Sequence, residues 1–384
     1  MHYHNPNKKN STITTRVMCA IVFCVFSFSW LYWFQGDVLA VAQHVLSDGV
    51  THYDRTVGAL LITLFLQILQ LVVSTIVRLQ RRTHALTYLP SFLVLTVVSD
   101  VNSDIDLHFS FGSWYWIVPL VLLIWGGLVW LARQVMPFQP DKEPTGVFSR
   151  RVWINMMLMS VMMLTVAAVG NTNAVFHYRA HVETVLLQHD VDEALRTGKR
   201  SLETDEHLTM LRAYALSLKG ELGERLFEYP VVGTGNDLLP MTTSRSRMLL
   251  LSPDSLFLYL GAKPRGRLTA YRYLELLELD TLATAAVADY RLCCMLVDKR
   301  IDDFARLLPT YYAVNDSLPK HYKEALTLYT HQRSYPTVVF HSPVMDEDWA
   351  DFQRLEAQYQ DERERRGKVE DHYVASYWYY YFYR

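Results

Sequence analysis

The sequence predicts an all-α membrane protein, with an N-terminal bundle of about five transmembrane helices followed by an irregular tetratricopeptide-like α-helical solenoid. Three observations predict it. Apolar runs near the length of a bilayer crossing crowd residues 18–170. Residues 171–384 are charged and carry apolar side chains at helical spacing, with no convincing run of strands. Short polar turns recur between those helices. The hydrophobic fraction of 51% and mean hydropathy of +0.04 therefore average two unlike halves of a 384-residue chain. A net charge of −2 argues against a nucleic-acid partner, which selects a basic face. The four cysteines form no disulfide framework: Cys19 and Cys24 sit in an apolar run, and Cys293 and Cys294 are adjacent.

Residues 1–17 read as a cytoplasmic tail. Crossing a ~30 Å hydrocarbon core takes roughly 20 helical residues. Spans are expected at 18–34, 57–77, 85–101, 113–132 and 152–170. The third is the weakest, because it is short, contains Pro90 and ends near Asp100; a re-entrant or strongly tilted segment is its alternative. Orientation follows from the basic residues of the short connections. Lys8, Lys9 and Arg16, then Arg78, Arg81 and Arg82, then Arg133, Lys142, Arg150 and Arg151 alternate with Asp37, Asp48, Asp54 and Asp100, Asp104, Asp106. The N-terminus is thus expected inside and everything after Gly170 outside. A signal peptide cut after LAVA (39–42) is the rival for the first span, but that run is long and thick with aromatics. Trp30, Tyr32, Trp33 and Phe34, and Trp114, Tyr115 and Trp116, fall at outer span ends, where aromatic belts lie. DVLAVAQHVL between the first two spans reads as a helix along the outer surface.

A transporter or intramembrane enzyme needs ionisable groups or broken helices at mid-depth. Here the polar residues are Gln67, Gln70, Asn155 and a few hydroxyls. Gln67 and Gln70 share a helix face and are expected to hydrogen-bond a neighbouring helix; Gly126 and Gly127 suit close helix packing.

In the outer domain, 171–384, helices are expected at 189–202, 207–220, 252–261, 265–279, 281–299, 300–308, 319–332 and 346–366. Asp190 with Glu193 has capping-box spacing, and Ser252–Pro253 followed by Gly261 starts and stops a helix. His189, Gly220, Gly261 and Lys299 read as equivalent turns of a loosely periodic helical-hairpin array. The loop 229–247, rich in Gly, Pro, Thr and Ser, is of a length often functional or mobile. No HExxH, GxSxG, P-loop or paired CxxC is present, and His321, His331 and His341 share no helix face. No catalytic, cofactor or metal residue is expected, and an enzyme is the less favoured reading.

The chain closes on a tail, 373–384, with seven consecutive aromatics: Tyr377, Trp378, Tyr379, Tyr380, Tyr381, Phe382 and Tyr383. They can cap the solenoid, rest in the outer leaflet interface, or dock a partner. With QGDVLAVAQHVLSDGVTHY, LSLKGELGERLFEYP, YLGAKPRGRLTAYRY and LPKHYKEALTLY, the ending SYWYYYFYR resembles an uncharacterised family of bacterial multi-pass inner-membrane proteins. That family carries a tetratricopeptide-like outer region and an aromatic C-terminus. The resemblance implies topology and no activity. The expected role is scaffolding of other envelope proteins, with membrane lipid as a further partner. The alternative is a subunit of a membrane enzyme or transporter whose site at the outer face gathers Asp100, Asp104, Asp106, His44 and His52.

Overall fold

The computed structural model describes residues 6–79, 81–107, 110–135 and 149–384, leaving aside the side chains of 6–12 and 81. Lys142 and the side chains of Lys8, Lys9 and Arg81, used above for orientation, lie outside the described residues. Helices make up the described elements, with no strand among them. The chain divides into two compact units, Met1–His177 and Tyr178–Arg384.

In the first unit, α1 (Pro6–Ser29) runs on through a π-helical turn, Trp30–Phe34, into α2 (Gly36–Leu46). Next come α3 (Arg55–Val77), a 3-10 helix (Arg81–Tyr88), α4 (Leu89–Ser99), α5 (Trp114–Val135) and α6 (Arg150–Val169). Asp54 and Ser149 cap α3 and α6 by accepting the Val57 and Val152 amides. Among the described residues four helices are long and apolar enough to cross a membrane: Ile13–Phe34, Arg55–Val77, Trp114–Val135 and Arg150–Val169.

The expected span 85–101 is not a fifth helix of that kind. It is the 11-residue α4 preceded by the 8-residue 3-10 helix. Pro90 does not break it; it lies in the first turn of α4, where its missing N–H costs nothing. Every described side chain from Arg82 to Ser99 is buried or half-buried, so this segment is the centre of the bundle. Phe92 and Tyr88 each hold their ring 5.0 Å from Phe23 of α1. A long 3-10 stretch hydrogen-bonds poorly to itself, and three neighbours supply partners. Asn155 of α6 accepts the Ala85 amide (2.7 Å), Trp125 of α5 donates to the Leu86 carbonyl (2.8 Å), and Gln70 of α3 donates to Thr87 (2.9 Å). Irregular backbone is tolerated inside a bundle only where side chains satisfy it in this way.

The segment also joins two chemically different ends. Near its start, Arg133 donates to the Val77 carbonyl (2.8 Å), closing the end of α3. Past its finish, Trp30 donates to Ser99 (2.8 Å), Asn171 donates to the Val101 carbonyl and Gln35 donates to the Asn171 carbonyl (3.1 Å). Arg55 and Asp37 pair between α3 and α2. By contrast α5 packs loosely, and a Cβ added at Gly126 or Gly127 would meet nothing within 4 Å. The close packing expected of these glycines is therefore not made among the described residues.

The second unit contains α7 (Ala174–Leu187) beyond its first turn, then α8 (Val191–Arg196), α9 (Glu206–Leu218), α10 (Leu222–Arg225), α11 (Pro253–Leu260) and α12 (Ala270–Leu279). It continues with α13 (Ala286–Val297), α14 (Ile301–Tyr311), α15 (Lys320–Gln332), α16 (Pro343–Gln358), α17 (Glu362–Tyr373) and α18 (Tyr377–Tyr383). The helix expected over 281–299 starts later, because Thr281 takes a left-handed φ of 54°. The single helix expected over 346–366 is two: Asp361 accepts the Arg363 and Glu364 amides and caps a new helix. The charged run at the end of the expected helix is therefore a helix start.

All four turn positions read from the sequence have positive φ: 61° at His189, 68° at Gly220, 138° at Gly261 and 56° at Lys299. Three share one C-cap, in which the next amide donates five residues back. Asp190 donates to Val185, Glu221 to Leu216 and Arg300 to Met295, at 2.8–3.0 Å. Gly261 closes differently, by donating to Phe257. The loop 229–247 is folded into the unit. Thr234 and Asp237 form a capping box, Gly235 donates to Asp298 (2.7 Å), and Asn236 accepts the Ala270 amide (2.8 Å). Just beyond the loop, the buried Glu183 carboxylate accepts the amides of Leu249, Leu250 and Leu251 beside Arg179.

Candidate functional site

The aromatic tail forms α18, capped by Ser376, whose hydroxyl accepts the Tyr379 amide. Its first residues are buried: Tyr377, Trp378, Tyr379 and Tyr380 are enclosed, with Trp378 only 1% exposed. Tyr381 and Tyr383 are half-buried and Phe382 is 42% exposed. Burial of this kind needs polar partners for the rings' hydroxyls and the indole N–H. Trp378 donates to the Glu324 carbonyl (2.7 Å), Tyr380 to the Val297 carbonyl (2.8 Å) and Tyr383 to Glu356 (2.7 Å). Burial pushes the Tyr380 phenol up to about 12, so it stays a donor. Trp349 and Phe352 of α16 pack their rings 5.2 and 5.8 Å from Trp378.

One carboxylate anchors the whole helix. Glu324 Oε2 accepts the Tyr377 amide (2.7 Å) and stands 2.9 Å from His321 Nδ1. His321 Nε2 accepts the Phe227 amide (3.2 Å), which fixes the tautomer: Nδ1 carries the proton and donates to Glu324. His321 and Glu324 are buried, and α15 thereby holds α10, α14, α16 and α18 together. In the sequence His321 is weighed only with His331 and His341, and Glu324 does not stand out. His331 and His341, which share no helix face, meet the same Asp346 carboxylate at 3.5 and 3.3 Å because the chain turns between them. Among the described residues no group of three His, Cys, Asp or Glu side chains could hold a metal ion.

In the first unit, Gln67 donates to Gln70 (3.1 Å) on its own helix and accepts from Cys24 Sγ of α1 (3.6 Å), while Gln70 reaches Thr87. The residues named for a site at the outer face do not converge. His44 and His52 stack with centroids 6.2 Å apart, and Asp100 accepts from Trp114 Nε1 (2.7 Å). Of those five residues Asp100 alone lines the cavity that does exist there, a half-open space of about 520 Å³. Its walls come from α2 (Leu39, Ala42, Leu46), Ile62 of α3, Val97 and Val98 of α4, Ile105 and Phe111, and Tyr53. Tyr53 lies flat on Gly58, where any Cβ would come within 2.2 Å of its ring.

Residues 270–384, which include α12 to α18 and the Glu324 anchor, match the model of a family of unknown function, DUF6057. No curated protein and no solved structure matches the chain.

Proposed function

We propose that the protein is a multi-pass membrane protein whose first unit is an anchor and whose second presents a helical surface to other envelope proteins. The observation that carries this is the interior of the first unit. Its apolar helices contain no Asp, Glu, Lys, Arg or His over 17–34, 56–77, 85–99, 114–132 and 152–169. Gln70 bonds Thr87 and Asn155 accepts the Ala85 amide across the bundle, the pattern of helix association and not of a proton or ion path. The Ser27 and Thr63 hydroxyls are buried without a partner among the described residues. A fifth pass is supported by segment 81–99. Eight 3-10 and eleven α residues rise roughly 32 Å, about a hydrocarbon thickness, between an arginine-bearing end and an aspartate-bearing end. With five passes and the basic residues inside, residues 171–384 face outward, in a bacterium the periplasm.

A tetratricopeptide-like repeat character is supported by the shared turn at His189, Gly220 and Lys299. The contact surface we favour is the α15–α16 connection, where Tyr335 is 94% exposed beside exposed Val339 and Val344. In-cell crosslinking followed by purification of the full chain, beside a Tyr335→Ser/Val339→Ser variant, tests this. Defined envelope proteins captured by the intact chain and lost with the folded variant support it; an intact chain that purifies alone refutes it. The alternative of an enzyme or transporter subunit calls for a polar cavity at the outer face, and the cavity there is apolar.

A further inference from the structure

We propose that the 520 Å³ cavity of the first unit is a binding site for one chain of a bilayer lipid bearing a primary ammonium headgroup. The inference rests on the reading of this unit as membrane-spanning.

Three features of the wall point to that occupant. The lining is dominated by aliphatic and aromatic side chains, and its volume falls within the range of small-molecule sites, about 300–1,000 Å³. An apolar space of this kind does not hold water stably. The charge at the mouth has one sign. Asp100 is exposed, Trp114 engages one of its carboxylate oxygens, and among the described residues no Lys, Arg or His lines the space. An anionic headgroup meets repulsion there, whereas an ammonium gains a charge-assisted hydrogen bond. The other rim groups are engaged: Gln43 donates to Thr51 (3.1 Å), Ser47 donates to the His44 carbonyl (3.3 Å), and Asn102 accepts the Asp104 amide (3.1 Å). Finally, the Tyr53 hydroxyl in the wall has no partner among the described residues and is packed against Gly58, closed to water, so it meets a lipid acceptor only when the ring turns toward the space. A buried unpaired donor is costly, and a lipid ester carbonyl is an acceptor at the junction of apolar chain and polar head.

The experiment uses the full chain purified from membranes in mild detergent and native mass spectrometry, before and after exposure to nanodiscs containing equal ethanolamine, choline and glycerol phospholipids. One retained ethanolamine lipid is expected, favoured about tenfold over the glycerol lipid. Asp100→Asn should abolish that preference while retention persists, and Ala42→Phe, which fills the floor, should abolish retention. If Ala42→Phe does not fold, Leu46→Trp at the mouth serves the same purpose. Retention of no lipid, a preference for the glycerol lipid, or unchanged retention in the folded filling variant overturns the proposal. Resistance of the protein to carbonate extraction from membranes reads the spanning assignment separately, since loss of lipid in an extraction-resistant protein condemns the site alone.

Discussion

Glu324 offers the sharpest perturbation of the second unit. Replacing it with Ala leaves the Tyr377 amide and His321 Nδ1–H buried with no acceptor. Each orphaned donor costs about 1–3 kcal/mol, and the vacated side-chain volume adds to that, so the loss should be about 3–5 kcal/mol. For a unit of about 200 residues this corresponds to a fall in Tm of about 6–15 °C. Glu324→Gln keeps one oxygen for the Tyr377 amide and should lose markedly less. Intrinsic fluorescence of the full chain in detergent is a direct readout, because Trp378 lies in the affected helix with Trp349 of α16 packed 5.2 Å from its ring. Phe382→Ser, at the exposed edge of the same helix, serves as control and should cost about 0.5 kcal/mol. If Glu324→Ala melts with the control, the carboxylate is not the anchor and α18 is held by its ring packing and its remaining hydrogen bonds.

Other consequences follow from single positions. Asn155→Leu removes the acceptor of the Ala85 amide and should cost about 1–3 kcal/mol in a detergent unfolding titration, with no comparable loss for Thr165→Val at the exposed face of the same helix. Gly235→Ala puts a Cβ 2.4 Å from the Cys294 carbonyl, a backbone atom that cannot yield. It should therefore lower Tm more than Gly220→Ala, whose Cβ meets open space and whose penalty is only its φ of 68°. His189→Gly relieves a left-handed φ of 61° and should stabilise by up to about 1 kcal/mol in the same melts. Cys293 and Cys294 are buried free thiols, with the thiol of each pushed up by burial, so maleimide should label them only after unfolding.

The four long apolar helices were legible because each is apolar around most of its circumference, and composition alone records that. The segment 81–99 was only half legible for the opposite reason. It faces other helices, so it can carry His84, Thr87, Ser91 and Thr96 in its buried wall, and its hydropathy understates its depth. Turns were read well: His189, Gly220 and Lys299 lie where polar residues interrupt an apolar period, and the C-cap is a local hydrogen-bond pattern. Asp361 was missed because a cap and a solvated acidic run look the same until the chain bends there.

The aromatic run shows the boundary most plainly. Its sequence determined that the tail must be covered by something, since seven consecutive rings are too apolar to stand in water. Cap, bilayer surface and partner all satisfied that demand equally, because hydrophobic burial has no direction. Within the chain the first rings of the tail are held by directional bonds from residues about 50 to 80 positions away, the Glu324 carboxylate and carbonyl and the Leu296 and Val297 carbonyls. Pairings of that separation leave no periodicity in a sequence, and only the folded chain brings them within 3.3 Å.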